Sequence, residues 1–409
     1  MYKKRHVEER LLRIAKNFKV LYITGARQVG KSTLLAHLFP ETPVVVFDPV
    51  QDIYGARSDP DQFLDTFPNQ TIFDEVQFAP ELLPAIKRRV DRRPEKGQYL
   101  LTGSQHLGVL RNISESLTGR VGILELENMS LYEAHEDSSN WVSVLLEHPA
   151  LLLEKFKGIL PNTHLTRVLW RGAFPALIDQ EDNIISEFYR NYVTTYVERD
   201  VRIAENISDL NLFGRFLRIL AALTAQEINH TELGRELGVS GPTAQRWLST
   251  LHLTYQWREV WPYSGNLMKR VSKKRKGYIS DTGMACYLQR IPSAEALLGH
   301  PMLGAFFESF CVNLIFKLLS GLSFEVNAYH WRAGSGAEVD LILEKDRILF
   351  PIEFKCKSHI QRHDTRGLRA FREAYPDKNI ATGIIVHTGD RPYWIDEHAL
   401  ALPWNITLR

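Results

Sequence analysis

Residues 22–33 read YITGARQVGKST, and the reading of this stretch decides the fold. A β-branched and aromatic run over 20–24 stops at Gly25. Gly30, Lys31 and Ser32 follow, then apolar residues at helical spacing: Leu34, Leu35, Leu38 and Phe39. This is a GxxxxGK[ST] phosphate loop in the setting it requires, with a strand before it and a helix after. The glycines let the backbone wrap so that its N–H groups face phosphate oxygens, and the helix N-terminus adds positive charge. Lys31 is expected to reach the β- and γ-phosphates and Ser32 to offer its hydroxyl to Mg²⁺, with Thr33 closing the motif. The chain is expected to bind ATP and Mg²⁺.

Working outward, residues 7–17 carry apolar positions among charges and read as an amphipathic helix leading into the loop strand. Residues 43–48 form a short buried strand. Residues 71–75, TIFDE, are an apolar strand closing on two acids, the Walker B pattern. Asp74 would hold Mg²⁺ through water and Glu75 would polarise the attacking water. Another strand, QYLLT at 98–102, leads to Ser104, which is read as the polar sensor between Walker B and the γ-phosphate. A helix over 106–117 and Thr118-Gly119-Arg120 precede a strand at 121–126.

The blocks GARQVGKST, IFDEVQ, LLTGSQ and SLTGRVG, in this order, resemble a prokaryotic AAA-type (AAA+) ATPase family that carries a C-terminal domain of uncharacterised function. The resemblance implies that Arg120 reaches a neighbouring subunit's site as an arginine finger, and so a homo-oligomer, in the form of a ring hexamer. WRGAFPALI and FYRNYVTTYVERDV also resemble blocks that follow the ATPase core there. A second sensor arginine stays open among Arg171, Arg199 and Arg202.

Composition sets outer bounds. At 409 residues the chain has room for several domains; 44% apolar and 24% charged residues are ordinary proportions. The formal charge of +2 conceals local basic clusters. Cys286, Cys311 and Cys356 lie far apart without metal-type spacing, which points to a reducing cytoplasm. No signal-like N-terminus, repeat or membrane-length apolar run is evident.

The expected architecture is α/β: a P-loop AAA+ core (1–128), a helical lid (129–207), a winged helix-turn-helix (208–290) and a restriction-endonuclease-like α/β domain (300–409). In the third part, helices over 213–223, 231–237 and 240–251 have helix-turn-helix form. Ser240, Thr243, Gln245 and Arg246 are expected to face DNA bases or phosphates. The basic run holding Lys269, Arg270, Lys273, Lys274, Arg275 and Lys276 reads as a wing on the phosphate backbone. In the last part, Glu308 on a helix, Asp340 on a strand and Glu353-x-Lys355 on the next resemble the PD-(D/E)XK nuclease core. Asp340 and Glu353 would ligate a Mg²⁺, Lys355 would orient water, and Glu308 would add a ligand or hold the others.

Two functions fit these parts. One is an ATP-driven remodeler of duplex or branched DNA, with the nuclease activity open. An AAA core with a winged helix is the plan of the bacterial branch-migration motor at Holliday junctions, and archaeal junction resolvases use this nuclease core. The other is an ATP-switched interaction or defence protein whose nuclease-like domain only binds.

Overall fold

The computed structural model describes residues 2–103, 116–197, 209–265 and 274–409. They form two compact units. One comprises Met1–Met129 with Phe174–Ala176 and Leu253–Tyr255; the other comprises Ser130–Ala173, Leu177–His252 and Gln256–Arg409.

The first unit is a parallel sheet of β1 (Val20–Thr24), β2 (Val44–Val46), β3 (Thr71–Asp74), β4 (Tyr99–Gly103) and β5 (Val121–Glu125), in the order β2-β3-β4-β1-β5. Every residue of β1 is buried, as a central parallel strand covered on both faces demands. Its side chains alternate between two cores. Val20 and Tyr22 join Phe73, Tyr99 and Leu101 on one face, and Leu21 and Ile23 join Leu34, Ile72 and Leu100 on the other. Because β4 and β5 flank β1 on opposite sides, the C-terminal end of β1 is a topological switch point, where open α/β sheets take their ligands.

Helix α1 (Glu8–Asn17) buries Leu11 and Ala15 and carries Glu8 and Glu9 in its first turn, where the helix dipole favours acids. Gly122 on β5 admits this helix: a Cβ there would lie 2.2 Å from Ile14 and 2.9 Å from Phe18. Helices α2 (Lys31–Leu38), α3 (Pro60–Thr66) and α4 (Leu82–Asp91) also belong to this unit.

The second unit departs from expectation over 129–207. That segment is not helical throughout: β6 (Phe156–Ile159) pairs antiparallel with β17 (Ile406–Leu408), near the far end of the sequence. Tyr132 donates to the Ile406 carbonyl at 2.9 Å, tying the same two regions together. Short helices and strands with long-range partners lack the periodicity by which sequence betrays them.

Further on come α5 (Leu210–Ala222), β7 (Gln226–Glu227), α6 (His230–Leu237), α7 (Gly241–Leu253), β8 (Trp257–Pro262) and β9 (Lys276–Ile279). Asp209 and Asn229 cap α5 and α6, and Gly238, at φ +75°, ends α6. Trp247 of α7 meets Phe213 and Phe216 of α5 edge-on, with centroids 5.7 and 5.4 Å apart. The three strands form an antiparallel ladder, β8-β9-β7.

That ladder continues into a larger sheet, because β8 pairs in parallel with β10 (Asn327–Arg332). Beyond β10 lie β11 (Glu338–Lys345) and β12 (Ile348–Lys355), then β14 (Gly383–His387), β16 (Ala399–Pro403) and β15 (Tyr393–Asp396), with β13 (Asn379–Ile380) also on β12. Helix α8 (Leu303–Ser320) packs on β12, and helix α9 (Arg366–Ala374) packs on β11 and β12. Contrary to the expectation of no membrane-length apolar run, helix α8 is the one helix among the described residues long and apolar enough to cross a membrane. Its Phe306, Phe307, Val312, Ile315 and Leu318 are buried within the fold.

Gly122→Ala is expected to force α1 off the sheet and lower the stability of the first unit by about 1–3 kcal/mol. Denaturant unfolding of the variant checks this; an unchanged midpoint would remove the close-packing role.

Candidate functional site

The phosphate loop leaves β1 at Gly25 with φ +145°, and a Cβ there would lie 2.1 Å from the Leu126 carbonyl oxygen. Gly30 closes the loop at φ +95°, and Gln28 between them takes a left-handed φ of 62°. Two of these conformations suit glycine alone or nearly so. The loop delivers its chain into α2, whose first residue is Lys31. The Lys31 ammonium is buried at the loop's mouth, donating to the Gly25 and Ala26 carbonyls at 3.0 and 2.8 Å. Ser32 and Thr33, next on α2, are exposed. A wrapped glycine loop, a helix N-terminus, an ammonium and an exposed serine fit the phosphates and Mg²⁺ of a nucleotide.

Two strands away, Asp74 ends β3 as a buried carboxylate. Thr102 on β4 lies beside it, because Phe73 is in register with Leu101. Its hydroxyl donates to Asp74 and accepts the Glu75 N–H at 3.3 Å. Glu75 itself is left-handed at φ 60°, and Gln77 donates to its carboxylate. Strained backbone of this kind gathers at functional sites. The arrangement separates the two acids: Asp74 is held against the sheet, whereas Glu75 is turned out of the strand.

Two supporting residues escape a sequence reading. Arg5 is buried and donates to the Val29 carbonyl at 2.9 Å and the Glu127 carbonyl at 2.7 Å, bracing the loop from outside. It stands in a run, KKRH, that looks like solvated surface. Thr102 looks like one more β-branched strand residue.

Ser104, read as the sensor, lies outside the described residues, as do Arg199 and Arg202. Arg171 is engaged elsewhere, with Asp182 and the Gln180 carbonyl. Arg120 binds Asp91 of α4 through two guanidinium nitrogens and donates to the Thr118 carbonyl at 2.7 Å. Its own carbonyl accepts from Val20, at the start of β1. The length of β1, roughly 13–16 Å, therefore separates Arg120 from the phosphate loop of its own chain.

With this geometry in view, residues 17–135 match the family described as AAA domain. The N-terminal unit has the parallel-sheet core of a P-loop ATPase-like domain. Residues 162–295 and 303–407 match two domains of unknown function, DUF8612 and DUF4143. Two mycobacterial proteins, each described as uncharacterized, are similar along nearly the whole chain. They are Rv2008c of Mycobacterium tuberculosis and Mb2031c of Mycobacterium bovis, both 28% identical over 406 residues, 98% of this chain and 84% of theirs. Among solved structures, a Walker-type ATPase of Pyrococcus abyssi aligns with 69% of this chain and 94% of its own at 18% identity and a TM-score of 0.37. A signal-transduction ATPase of Pyrococcus horikoshii with a tetratricopeptide repeat sensor covers 78% and 47% at 13% identity and a TM-score of 0.29. Both scores are low, so the AAA assignment rests on the family match and the loop geometry.

Outside the ATPase domain, α7 exposes Gln245 and Arg246. Ser240 is used at the helix start, receiving the Thr243 N–H at 3.2 Å and bonding its hydroxyl at 2.8 Å. Of the expected wing, Lys269, Arg270 and Lys273 lie outside the described residues, and Lys274 is exposed. Arg275 is paired with Glu259 at 2.7 Å and lies 3.5 Å over the Trp261 ring.

Lys276 is not a phosphate contact. It is 7% exposed, on β9, with its ammonium 2.5 Å from Glu308 and 2.9 Å from Asp340. Strand alternation explains the error: along a pleated strand one lysine of a basic run faces water and its neighbour faces the core.

Of the expected nuclease residues, Glu308 and Asp340 meet around this lysine, whereas Glu353 pairs with Lys355. Asp340 gives one oxygen to Lys276 and the other to the Phe354 N–H at 3.1 Å. Glu353 takes the Leu368 N–H at 3.0 Å and the Lys355 ammonium at 2.9 Å. Tyr278 donates to Glu308 at 2.9 Å. Burial pushes Glu308 and Glu353 up to about 7, although Lys276 and Lys355 respectively oppose it. Burial pulls Lys276 down, and Asp340 with Glu308 more than reverses this, holding it well above the usual lysine range. Where Asp340 and Glu353 are expected to share a Mg²⁺, both carboxylates are committed to protein partners. Among the described residues, no group of three or more His, Cys, Asp or Glu side chains is arranged to hold a metal.

Lys276→Met removes the cation from two buried acids and is expected to cost about 3–5 kcal/mol. Adding Glu308→Gln and Asp340→Asn should restore much of that loss by removing the orphaned charges. Denaturant unfolding of the single and triple variants checks both; a single variant as stable as wild type would contradict the ion cluster.

Proposed function

We propose that this chain hydrolyses ATP and uses turnover to act on nucleic acid. The single observation behind hydrolysis is the division of labour at the end of β3. Thr102 holds Asp74 as the acid for Mg²⁺, leaving Glu75, turned out of the strand, to take a proton from water. Lys31 binds the phosphates, Ser32 contributes to the Mg²⁺ shell and Ser104 serves as sensor. The bound metal would draw charge from the transferring phosphoryl group.

The nucleic-acid reading rests on the order helix, strand, helix, helix, strand, strand from α5 to β9, the plan of a winged helix. Gln245, Arg246 and Lys274 are its exposed contacts. Branched DNA of the Holliday type is one substrate this reading covers. The C-terminal domain, with its carboxylates tied to Lys276, Lys355 and backbone N–H groups, serves as a binding module and not as a nuclease. Arg120, remote from its own loop, acts in a neighbouring subunit of a ring once released from Asp91.

A second reading is an ATP-switched protein-interaction device. The burial of Lys276 and the pairing of Arg275 favour it, because they shrink the basic wing. ATPase rates measured with duplex, single-stranded, forked and four-way DNA separate the two. The proposal expects stimulation by at least one DNA, reduced by Arg246→Gln with Lys274→Gln. Rates indifferent to every DNA would transfer the function to the second reading.

A further inference from the structure

Residues 355–372 read KCKSHIQRHDTRGLRAFR, with six lysines and arginines and one acid. They follow β12 and run through a 3-10 turn (Arg362–Thr365) into α9. Three of the six cations are used internally. Lys355 pairs with Glu353 and Lys357 with Asp364, at 2.9 and 2.6 Å, while Arg372 donates to the Ile380 and Ala381 carbonyls at 2.9 and 2.8 Å.

Arg362, Arg366 and Arg369 are different. All three are exposed, and none has an acidic partner among the described residues. The one bond that links them runs from Arg369 to the Arg362 carbonyl at 3.4 Å. By contrast, Arg88, Arg89, Arg120, Arg167, Arg171 and Arg275 are each paired with an aspartate or glutamate. The three unpaired guanidiniums share one side of the helix and its approach, since positions three and four apart are neighbours on a helix surface.

We propose that Arg362, Arg366 and Arg369 form a second nucleic-acid surface, binding the phosphodiester backbone alongside the C-terminal sheet. This rests on the reading that the chain acts on nucleic acid, and it adds a site outside the winged helix. Guanidinium forks match phosphate oxygens two at a time, and a row of them follows a row of phosphates. An anionic membrane fits less well. A helix that lies on lipid needs an exposed apolar face, whereas Leu368 and Phe371 of α9 are buried in the core with Trp331 and Tyr263. Anchored by those two residues, α9 holds its arginines on a rigid support.

The test is fluorescence anisotropy of labelled duplex and single-stranded DNA with the full chain, across a series of salt concentrations. Wild type is compared with Arg362→Gln/Arg366→Gln/Arg369→Gln and, separately, with Arg246→Gln/Lys274→Gln. The triple variant is expected to weaken duplex affinity at least about tenfold and to lower the salt slope by roughly 2–3, one counterion for each phosphate left without its guanidinium. Its thermal midpoint should stay unchanged, because the replaced groups are solvated. If only the Arg246/Lys274 pair weakens binding, the surface proposed here is wrong and the winged-helix reading stands. If only the triple variant weakens it, this surface stands and the winged helix loses its role. No DNA binding by wild type would overturn both. Phosphatidylserine vesicles captured through these arginines, with DNA binding unaffected, would overturn the choice of nucleic acid.

Discussion

At Gly25 the chain leaves a fully buried parallel strand and turns at a φ of +145°, with the Leu126 carbonyl oxygen where a side chain would begin. The rest of the ATPase domain depends on that turn. It brings the loop back over the end of β1, so that Lys31 opens a helix with its ammonium in the loop's mouth. The flanking strands then set the distances: β4 presents Thr102 to Asp74 and the Glu75 N–H, and the segment after β5 meets the loop through Arg5. A phosphate site made of backbone N–H groups needs such external bracing, since a glycine-rich loop loses more conformational entropy than any other when it holds one shape.

The second unit is organised by a different constraint, the neutralisation of buried charge. Three carboxylates and two ammonium groups meet at the sheet near β9, β11 and β12, where isolated ions would each cost several kcal/mol. Lys276 comes from the strand that ends the three-helix module, and Asp340 and Glu353 come from the C-terminal strands. The ladder from β7 through β10 makes the two one sheet, so the cluster is as much a joint between them as a site. Within it Lys276 neutralises Glu308 and Asp340, and Lys355 neutralises Glu353.

Much of the ATPase domain is legible in the sequence because three of its five strands end at a residue whose chemistry is unusual. Gly25 after β1, Asp74 on β3 and Gly103 on β4 mark strand ends that composition alone would blur. What stays hidden are residues whose type is common and whose partner is distant in sequence. Thr102 reads as a strand former, Arg5 as a solvated base and Lys276 as one more charge in KKRK. Only the pairing of β9 with β8 and the approach of α8 reveal that the last of these faces inward. The strand β6 is hidden for a related reason, since its partner lies beyond residue 400. The arginines of α9 do not stand out either, because apolar spacing identifies their helix without showing which of its charges lack partners.

The central claim is that Lys31, Asp74 and Glu75 form one hydrolytic site with separate duties. Nucleotide binding and phosphate release measured together, on wild type, Lys31→Ala and Glu75→Gln with Mg²⁺ and ATP, test it most directly. Wild type should bind and hydrolyse, Lys31→Ala should do neither, and Glu75→Gln should bind ATP with little release. Release at the wild-type rate by Glu75→Gln, or ATP affinity unchanged in Lys31→Ala, would contradict the account.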